Sequence, residues 1–215
     1  MKNDHDHEMK KLIEALYRAY DHFNRDLFSS LLPDVHITIG VKRGVEAIYS
    51  PDQFNPITEK DGEITHRTLD EILLNPVEFS KDERHVLSLL CHEMAHHYEN
   101  HYGRPGRNGY HNQSWGNTMK NIGLYPSSTG EPGGKETGIK VSHYVIPDGP
   151  FEDAFNDFMS ENDLSLAWYT KPPQIKKSSR KVTYRCDCDN KPVYCSTPGR
   201  KITCQDCGQP FSEDV

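Results

Sequence analysis

Five of the six cysteines of this 215-residue chain lie close together near its C-terminal end, between Cys186 and Cys207, and only Cys91 lies elsewhere. So short a segment buries too little apolar surface to fold unaided, and cysteines grouped in a reducing compartment are typical of metal ligands. The preceding residues, roughly 170 of them, are numerous enough for a domain with its own hydrophobic core. The cysteine pattern therefore divides the chain into a larger body and a small metal-dependent module.

Charge and proline content locate the boundary between these two parts. Residues 171–215 contain nine Lys and Arg against five Asp and Glu, whereas residues 1–170 carry a net charge of −11. A polar, proline-containing stretch, opened by Lys171-Pro172-Pro173, is typical of a linker. We predict four segments: a mobile tail at 1–7, a domain at 8–170, a linker at 171–180 and the cysteine module at 181–215.

Composition excludes a membrane protein. The chain is 34% apolar and 27% charged, with a mean hydropathy of −0.79, and it has no run of about 18 apolar residues. Its first twenty residues carry charges where a secretory signal needs an apolar stretch of about 7–15 residues. We expect a cytoplasmic protein with no membrane partner, and the sequence leaves its oligomeric state open.

The spacing of apolar residues in the body predicts both helices and strands. From Glu8 to Phe28 they recur every three or four residues, which is one face of an amphipathic helix. The expected fold class is α+β, with a small mixed sheet behind one long helix. Further strands are predicted at 35–39, near 47–49 and 63–65, and at 140–146. Further helices are predicted from an N-cap at Ser80 to about Gly103, at 112–122 and at 151–169. A short turn or helix is predicted at 70–74, and a loop at 126–138.

The segment His92-Glu93-Met94-Ala95-His96 carries the most informative motif of the body, H-E-x-x-H on a predicted helix. His92 and His96 are four residues apart, so both imidazoles project from one face and can bind one metal ion at about 2.0–2.1 Å. Glu93 lies about 100° around the helix, where it can act as a general base. This arrangement is typical of a zinc hydrolase.

A catalytic zinc ion also needs a third protein ligand and an open position. His97 and His101 point away from the metal-binding face, because they lie about 100° and 140° around the helix from His96. His111 follows a glycine-containing reversal that can return it to the site, and it is the favoured third ligand, with Glu131 and His143 as alternatives. An additional oxyanion donor could come from His143 or Tyr144, although a packed strand tyrosine is the favoured interpretation of Tyr144.

The cysteine module contains two pairs of cysteines separated by fifteen residues. The first pair is Cys186 and Cys188, and the second is Cys204 and Cys207 in a C-x-x-C followed by glycine. The flanking residues 182–184 and 201–203 alternate as in strands, so we predict a zinc ribbon with these four ligands and a structural zinc ion. Cys195 is an alternative to one member of the first pair.

Basic residues surround this module and predict contact with nucleic acid. The candidate contacts are in and beside the linker: Lys176, Lys177, Arg180 and Lys181. No base-reading motif is visible, so such binding is expected to be weakly sequence-specific. The alternative is a solvated module that docks on the body.

The chain resembles a known family, the SprT-like zinc metallopeptidases. The similarity rests on His92-Glu93-Met94-Ala95-His96, on the segment from Gly106 to Trp115, on Tyr20-Asp21-His22-Phe23-Asn24 and on the closing four-cysteine module. It covers roughly residues 12–125 and 182–210, and the middle segments resemble the longer bacterial and mobile-element members. Better-studied relatives, the eukaryotic Spartan proteases, cleave proteins that are covalently crosslinked to DNA.

The resemblance implies a zincin-like metallopeptidase domain followed by a zinc ribbon. His92, His96 and His111 would then bind a catalytic zinc ion, and Glu93 would be the general base. The implied function is hydrolysis of DNA-associated or DNA-crosslinked protein. The alternative function is that of a nucleic-acid-binding or transcription-associated factor whose zinc ions are purely structural, in which Glu93 would have no task.

Overall fold

The computed structural model describes residues 2–60, 63–66, 68–162, 182–188, 192–195 and 197–213. The chain forms two compact units, Met1–Pro172 and Pro173–Val215. Within the described residues, no helix is both long enough and apolar enough to cross a membrane. Both helices and small sheets are present, so the expected mixture of α and β structure is confirmed.

The first helix, α1 (Lys2–Phe28), contributes one side to the core of the larger unit. Leu16, Ala19 and Phe23 on that side are fully buried, in the predicted three-and-four spacing. The helix begins at Lys2, inside the segment expected to be a tail. The mobility of residues 1–7 stays a prediction.

Within the described residues, five strands lie between α1 and the helix that carries the H-E-x-x-H motif, and three of them form a mixed sheet. They are β1 (Val35–Ile39), β2 (Ala47–Phe54), β3 (Ile57–Lys60), β4 (Glu63–His66) and β5 (Leu69–Leu74). The sheet order is β1-β5-β2, with β1 parallel to β5 and β2 antiparallel to it, and β3 pairs with β4. The predicted strands at 35–39, 47–49 and 63–65 are therefore confirmed.

The prediction of a short turn or helix at 70–74 is wrong, because this segment lies in the central strand of the sheet. Asp70, Ile72 and Leu74 alternate as its buried residues. The acidic side chain at the first of these positions conceals the period of two that identifies a half-buried strand. Burial of Asp70 requires partners from elsewhere in the fold, which no local pattern indicates.

The helix that carries the H-E-x-x-H motif is α2 (Glu83–Tyr102), and Gly103 follows its last residue as expected. Its N-cap is Asp82, whose carboxylate accepts a hydrogen bond from the backbone N–H of His85 at 2.8 Å. The prediction of Ser80 as N-cap is wrong. Ser80 closes a short 3-10 turn instead, and its hydroxyl donates to the carbonyl of Val77.

The remaining elements of the larger unit are α3 (Gln113–Asn121), β6 (Leu124–Ser127), β7 (Ser142–Val145) and α4 (Pro150–Glu161). The predicted helix at 112–122 and strand at 140–146 are confirmed, and β6 pairs antiparallel with β7. The predicted loop loses residues 126 and 127 to β6. The helix predicted at 151–169 is present as far as Glu161, and residues 163–169 lie outside the described residues.

The smaller unit contains β8 (Val182–Arg185), β9 (Val193–Cys195) and β10 (Ser212–Glu213). They form an antiparallel sheet in the order β10-β8-β9 around the buried Tyr184. The strand expected near Thr203 is reduced to a single bridge with Pro210. The identity of this unit as a zinc ribbon stays a prediction, as does the zincin-like identity of the larger unit.

Candidate active site

Three histidines converge at the middle of α2. His92 and His96 project from one face of the helix, and His111 returns to them after the reversal at Gly103. Their ligand nitrogens lie within 4.8 Å of one another, and Nε2 of His92 is 3.2 Å from Nε2 of His111. Two nitrogens bound to one tetrahedral zinc ion are about 3.3 Å apart, so this donor set fits zinc.

The loop between β6 and β7 positions His111. The backbone N–H of His111 donates to the carbonyl of Gly138 at 2.8 Å, and its ring Nδ1 lies 3.1 Å from the same oxygen. A carbonyl accepts only, so Nδ1 carries the proton and Nε2 keeps a free lone pair. Thus Gly138 holds His111 in the tautomer that binds metal through Nε2.

His143 on β7 holds His92 in the same way. Nδ1 of His92 is 3.1 Å from Nδ1 of His143, whose Nε2 is 2.9 Å from the hydroxyl of Ser88. Because that hydroxyl donates to the carbonyl of His85, it accepts from Nε2 of His143, and Nδ1 of His143 then accepts from His92. His143 therefore lies behind His92 and leaves Nε2 of His92 available for a metal.

Trp115 forms the wall of the site. Its ring centroid lies 4.9 Å from that of His92, 5.1 Å from that of His96 and 4.3 Å from that of His111. The indole is buried and comes from α3, whose N-cap Asn112 directly follows His111. One large side chain thus packs against all three imidazoles and restricts their rotation.

Burial keeps these imidazoles neutral. It lowers the pKa of His96 to about 3, with a further contribution from His111, and lowers the pKa of His92 and of His111 below the ordinary value. Burial also lowers the pKa of His143 to about 3. Neutral imidazole is the form that binds metal, so the site is prepared for a cation at neutral pH.

Glu93 is buried and directly follows His92 on α2. Burial raises the pKa of its carboxyl to about 8, and a hydrogen bond from the backbone of Tyr49 acts in the opposite direction. A carboxyl with a pKa near neutrality both accepts and releases a proton readily. Glu93 therefore has the properties of a general base on the helix that carries two of the three converging imidazoles.

The other sequence-based candidates lie elsewhere. Glu131 is exposed, and its backbone carbonyl accepts from the hydroxyl of Ser127. Tyr144 stacks on Tyr125 across the β6-β7 pair, with ring centroids 5.2 Å apart, which agrees with a packed strand tyrosine. His97 and His101 point away from the three-histidine set and belong to a separate cluster.

Four cysteines of the smaller unit form a second candidate metal centre. Cys186, Cys188, Cys204 and Cys207 come together, with neighbouring sulfurs 3.3 to 3.6 Å apart, and all are free thiols. Cys195 on β9 is not part of the cluster. Four sulfurs with no open position are typical of a structural zinc site.

Electrostatics favour a cation between these sulfurs. The backbone N–H groups of Cys207 and Asp206 lower the pKa of the Cys204 thiol to about 7. Hydrogen bonds with the thiols of Cys186, Cys207 and Cys204 raise the pKa of Cys188 well above the ordinary value. Several thiolates this close repel one another unless a metal ion neutralises them. The proposed nucleic-acid contacts, Lys176, Lys177, Arg180 and Lys181, lie outside the described residues.

The sequence of the chain matches a known protein family. The SprT-like family matches residues 16–143. The chain belongs to the SprT-like family. No curated protein and no solved structure matches it. The matched residues extend from α1 into β7 and include the three histidines and Glu93, so the family relationship covers the whole candidate active site.

Proposed function

We propose that this SprT-like protein is a zinc-dependent peptidase whose larger unit is a zincin-like domain. His92, His96 and His111 would hold the catalytic zinc ion. The observation that carries the proposal is the buried carboxyl of Glu93, which directly follows the first of three converging neutral imidazoles on α2. A purely structural zinc site has four protein ligands and no use for such a carboxyl, whereas a hydrolytic site requires it.

Each group of the site has a separate role in the proposed reaction. Zinc, when bound, polarises the scissile carbonyl and makes a nearby water more acidic. Glu93 takes a proton from that water as the water oxygen bonds to the carbonyl carbon. Glu93 then delivers the proton to the amine nitrogen as the C–N bond breaks. Gly138 and His143 keep His111 and His92 in the required tautomers throughout.

The substrate class that we propose follows from the cysteines and the charge of the smaller unit. The four-cysteine unit would be a zinc ribbon with a structural zinc ion, and the basic residues at 176–181 would contact DNA with little sequence preference. The positive excess of residues 171–215 against the acidic body supports this division of tasks. The substrate class would be proteins that are associated with DNA or crosslinked to it.

The test compares the wild type with Glu93→Gln on a DNA-bound protein substrate, with and without single-stranded DNA. The amide keeps the shape of the carboxylate but accepts no proton, so we expect at least a 100-fold loss of cleavage with the zinc content unchanged. The matched control is Glu14→Gln on the exposed side of α1, which should cleave like the wild type.

Two results would contradict the proposal in different ways. Equal cleavage by the wild type and Glu93→Gln would remove the peptidase mechanism. Cleavage that depends on Glu93 but proceeds equally well without DNA would leave the peptidase and remove the DNA-associated substrate.

A further inference from the structure

A second cluster of metal-type ligands lies in the larger unit. It consists of His97 and His101 on α2 and Asp70 on β5, whose ligand atoms lie within 4.8 Å of one another. Nε2 of His101 is 2.8 Å from Oδ2 of Asp70, and Nε2 of His97 is 3.2 Å from the same oxygen. None of these three residues takes part in the three-histidine site.

The fold builds this cluster from two rigid elements. His97 and His101 repeat the four-residue spacing of His92 and His96 on a neighbouring face of the same helix, so their imidazoles also point to one place. Asp70 comes from the central strand of the three-stranded sheet. Ligands on a helix and a central strand are held more firmly than ligands on loops.

The protonation of His97 is the most informative feature. The hydroxyl of Tyr20 donates to the carbonyl of Pro33 at 2.7 Å and lies 3.1 Å from Nδ1 of His97. Since its proton is already used, Tyr20 accepts, and Nδ1 of His97 carries the proton. Nε2 of the neutral imidazole is then a bare lone pair that faces the Asp70 carboxylate.

Among the described residues, no group forms a hydrogen bond with that lone pair. His97 is 0% exposed, and its Nε2 has no hydrogen-bond partner, since the contact with Asp70 lacks hydrogen-bond geometry. Oδ2 of Asp70 already accepts a hydrogen bond from Nε2 of His101, so the unsatisfied group is the lone pair of His97. That lone pair and the carboxylate oxygen repel each other, because they face each other at 3.2 Å in a buried place. A cation between the two atoms would remove this repulsion.

Asp70 is oriented as metal-binding carboxylates usually are. The hydroxyl of Tyr49 donates to its Oδ2 at 2.5 Å, and the backbone N–H of Asp52 donates to its Oδ1 at 2.9 Å. Such neighbours fix a carboxylate ligand in place. The side chain of His101 is 36% exposed, which gives an ion a route from solvent and leaves room for a water ligand.

We propose that His97, His101 and Asp70 bind a divalent first-row transition-metal ion, for which Zn²⁺ is the probe. Two imidazoles and one carboxylate suit zinc and its neighbours rather than Ca²⁺ or Mg²⁺, which prefer oxygen ligands alone. The ion would link α2 to β5 and stabilise the larger unit. The proposal does not depend on peptidase activity.

The experiment counts zinc in the full-length protein after saturation with Zn²⁺ and removal of free metal. His101→Gln is the variant, because a partly exposed side chain can change without disturbing the core. We expect it to hold one zinc ion fewer than the wild type. The matched control is His85→Gln, which removes a partly exposed histidine of α2 that contacts a different carboxylate, that of Glu78, and should hold the wild-type number.

A second measurement distinguishes the loss of this zinc ion from misfolding and from the loss of zinc at the active site. His85→Gln and His101→Gln are also compared in the Glu93→Gln background, where the difference of one zinc ion should persist. Added Zn²⁺ should raise the Tm of His85→Gln more than that of His101→Gln. Equal zinc content of the wild type and His101→Gln, with both folded by circular dichroism, would overturn the proposal.

Discussion

At the scale of single residues, the candidate active site depends on groups that touch its ligands rather than the metal. Gly138 fixes the tautomer of His111, and His143 fixes that of His92. Trp115 restrains all three imidazoles from one side. Partners of this kind commonly affect metal affinity by 10-fold to about 100-fold, although they bind no metal themselves.

His143→Ala should therefore lower the zinc affinity of the larger unit by about 10-fold to 100-fold, because Nδ1 of His92 loses its acceptor and the ring becomes free to turn. His143→Gln should recover part of the loss, since its carbonyl oxygen can accept the same hydrogen. The measurement is competition with a chelator in the full-length protein. Tyr144→Phe on the same strand is the control, and an unchanged affinity in His143→Ala would contradict this role.

At the scale of elements, side-chain contacts at its N-terminus stabilise the first turn of α2. Asp82 caps the helix, and the preceding turn is joined to it by Glu78, whose carboxylate lies 2.7 Å from Nζ of Lys81 and 2.9 Å from Nε2 of His85. These contacts determine where the helix begins.

Asp82→Ala should lower the free energy of unfolding by about 1 kcal/mol, because the backbone N–H of His85 loses its acceptor. Ser80→Ala should change it by about 0.5 kcal/mol or less, since its exposed hydroxyl only supports the 3-10 turn. Urea denaturation of both variants measures the difference. A larger effect at Ser80 than at Asp82 would show that the cap has been assigned to the wrong residue.

Glu78 should make the stability of the larger unit depend on pH. Burial acts to raise the pKa of its carboxyl, but the hydrogen bonds with Lys81 and His85 outweigh burial and hold the pKa below its ordinary value of 4.5. The charged form is thus favoured more in the folded state than in the unfolded state. Its stabilisation is present above pH 4.5 and is lost as the pH falls through the lowered folded pKa.

Glu78→Gln should accordingly lower the free energy of unfolding by about 1 kcal/mol at pH 7, with the difference from the wild type shrinking in acid. Denaturation curves at a series of pH values provide the measurement. Glu46→Gln is the control, because Glu46 is exposed and 3.8 Å from the same lysine. A difference that stays constant into strong acid would contradict the assignment.

At the scale of the whole molecule, opposite charges divide the chain. Residues 1–170 have a net charge of −11, and residues 171–215 have an excess of four positive charges. An acidic body repels a nucleic-acid backbone, so we assign DNA binding to the C-terminal part. This assignment is a prediction at the level of sequence, because residues 176–181 lie outside the described residues.

Replacing Lys176, Lys177, Arg180 and Lys181 together with Gln should weaken binding of single-stranded DNA by the full-length protein. It should also lower the slope of log affinity against log salt by about 3, since each phosphate contact on a single strand contributes about 0.7. Fluorescence anisotropy at several salt concentrations measures both. The control replaces Lys10, Lys11, Lys42 and Arg43 of the body, and an equal loss in that variant would contradict the assignment.

Local spacing determined what the sequence could predict. The histidines of H-E-x-x-H share a face because an α-helix turns about 100° per residue, whatever surrounds it. The strand at 35–39 and the helices of the body follow from equally local periods. The four cysteines were predictable as a set because so short a segment has few other ways to become stable.

Tertiary structure alone decided the rest. His143 reaches His92 because β7 pairs with β6, and Asp70 reaches His97 because its strand lies in the centre of the sheet. Such contacts join residues far apart in the chain, so no spacing along the sequence encodes them. A buried acid in the central strand even resembles a turn locally, because only its distant partners make the burial of its charge favourable.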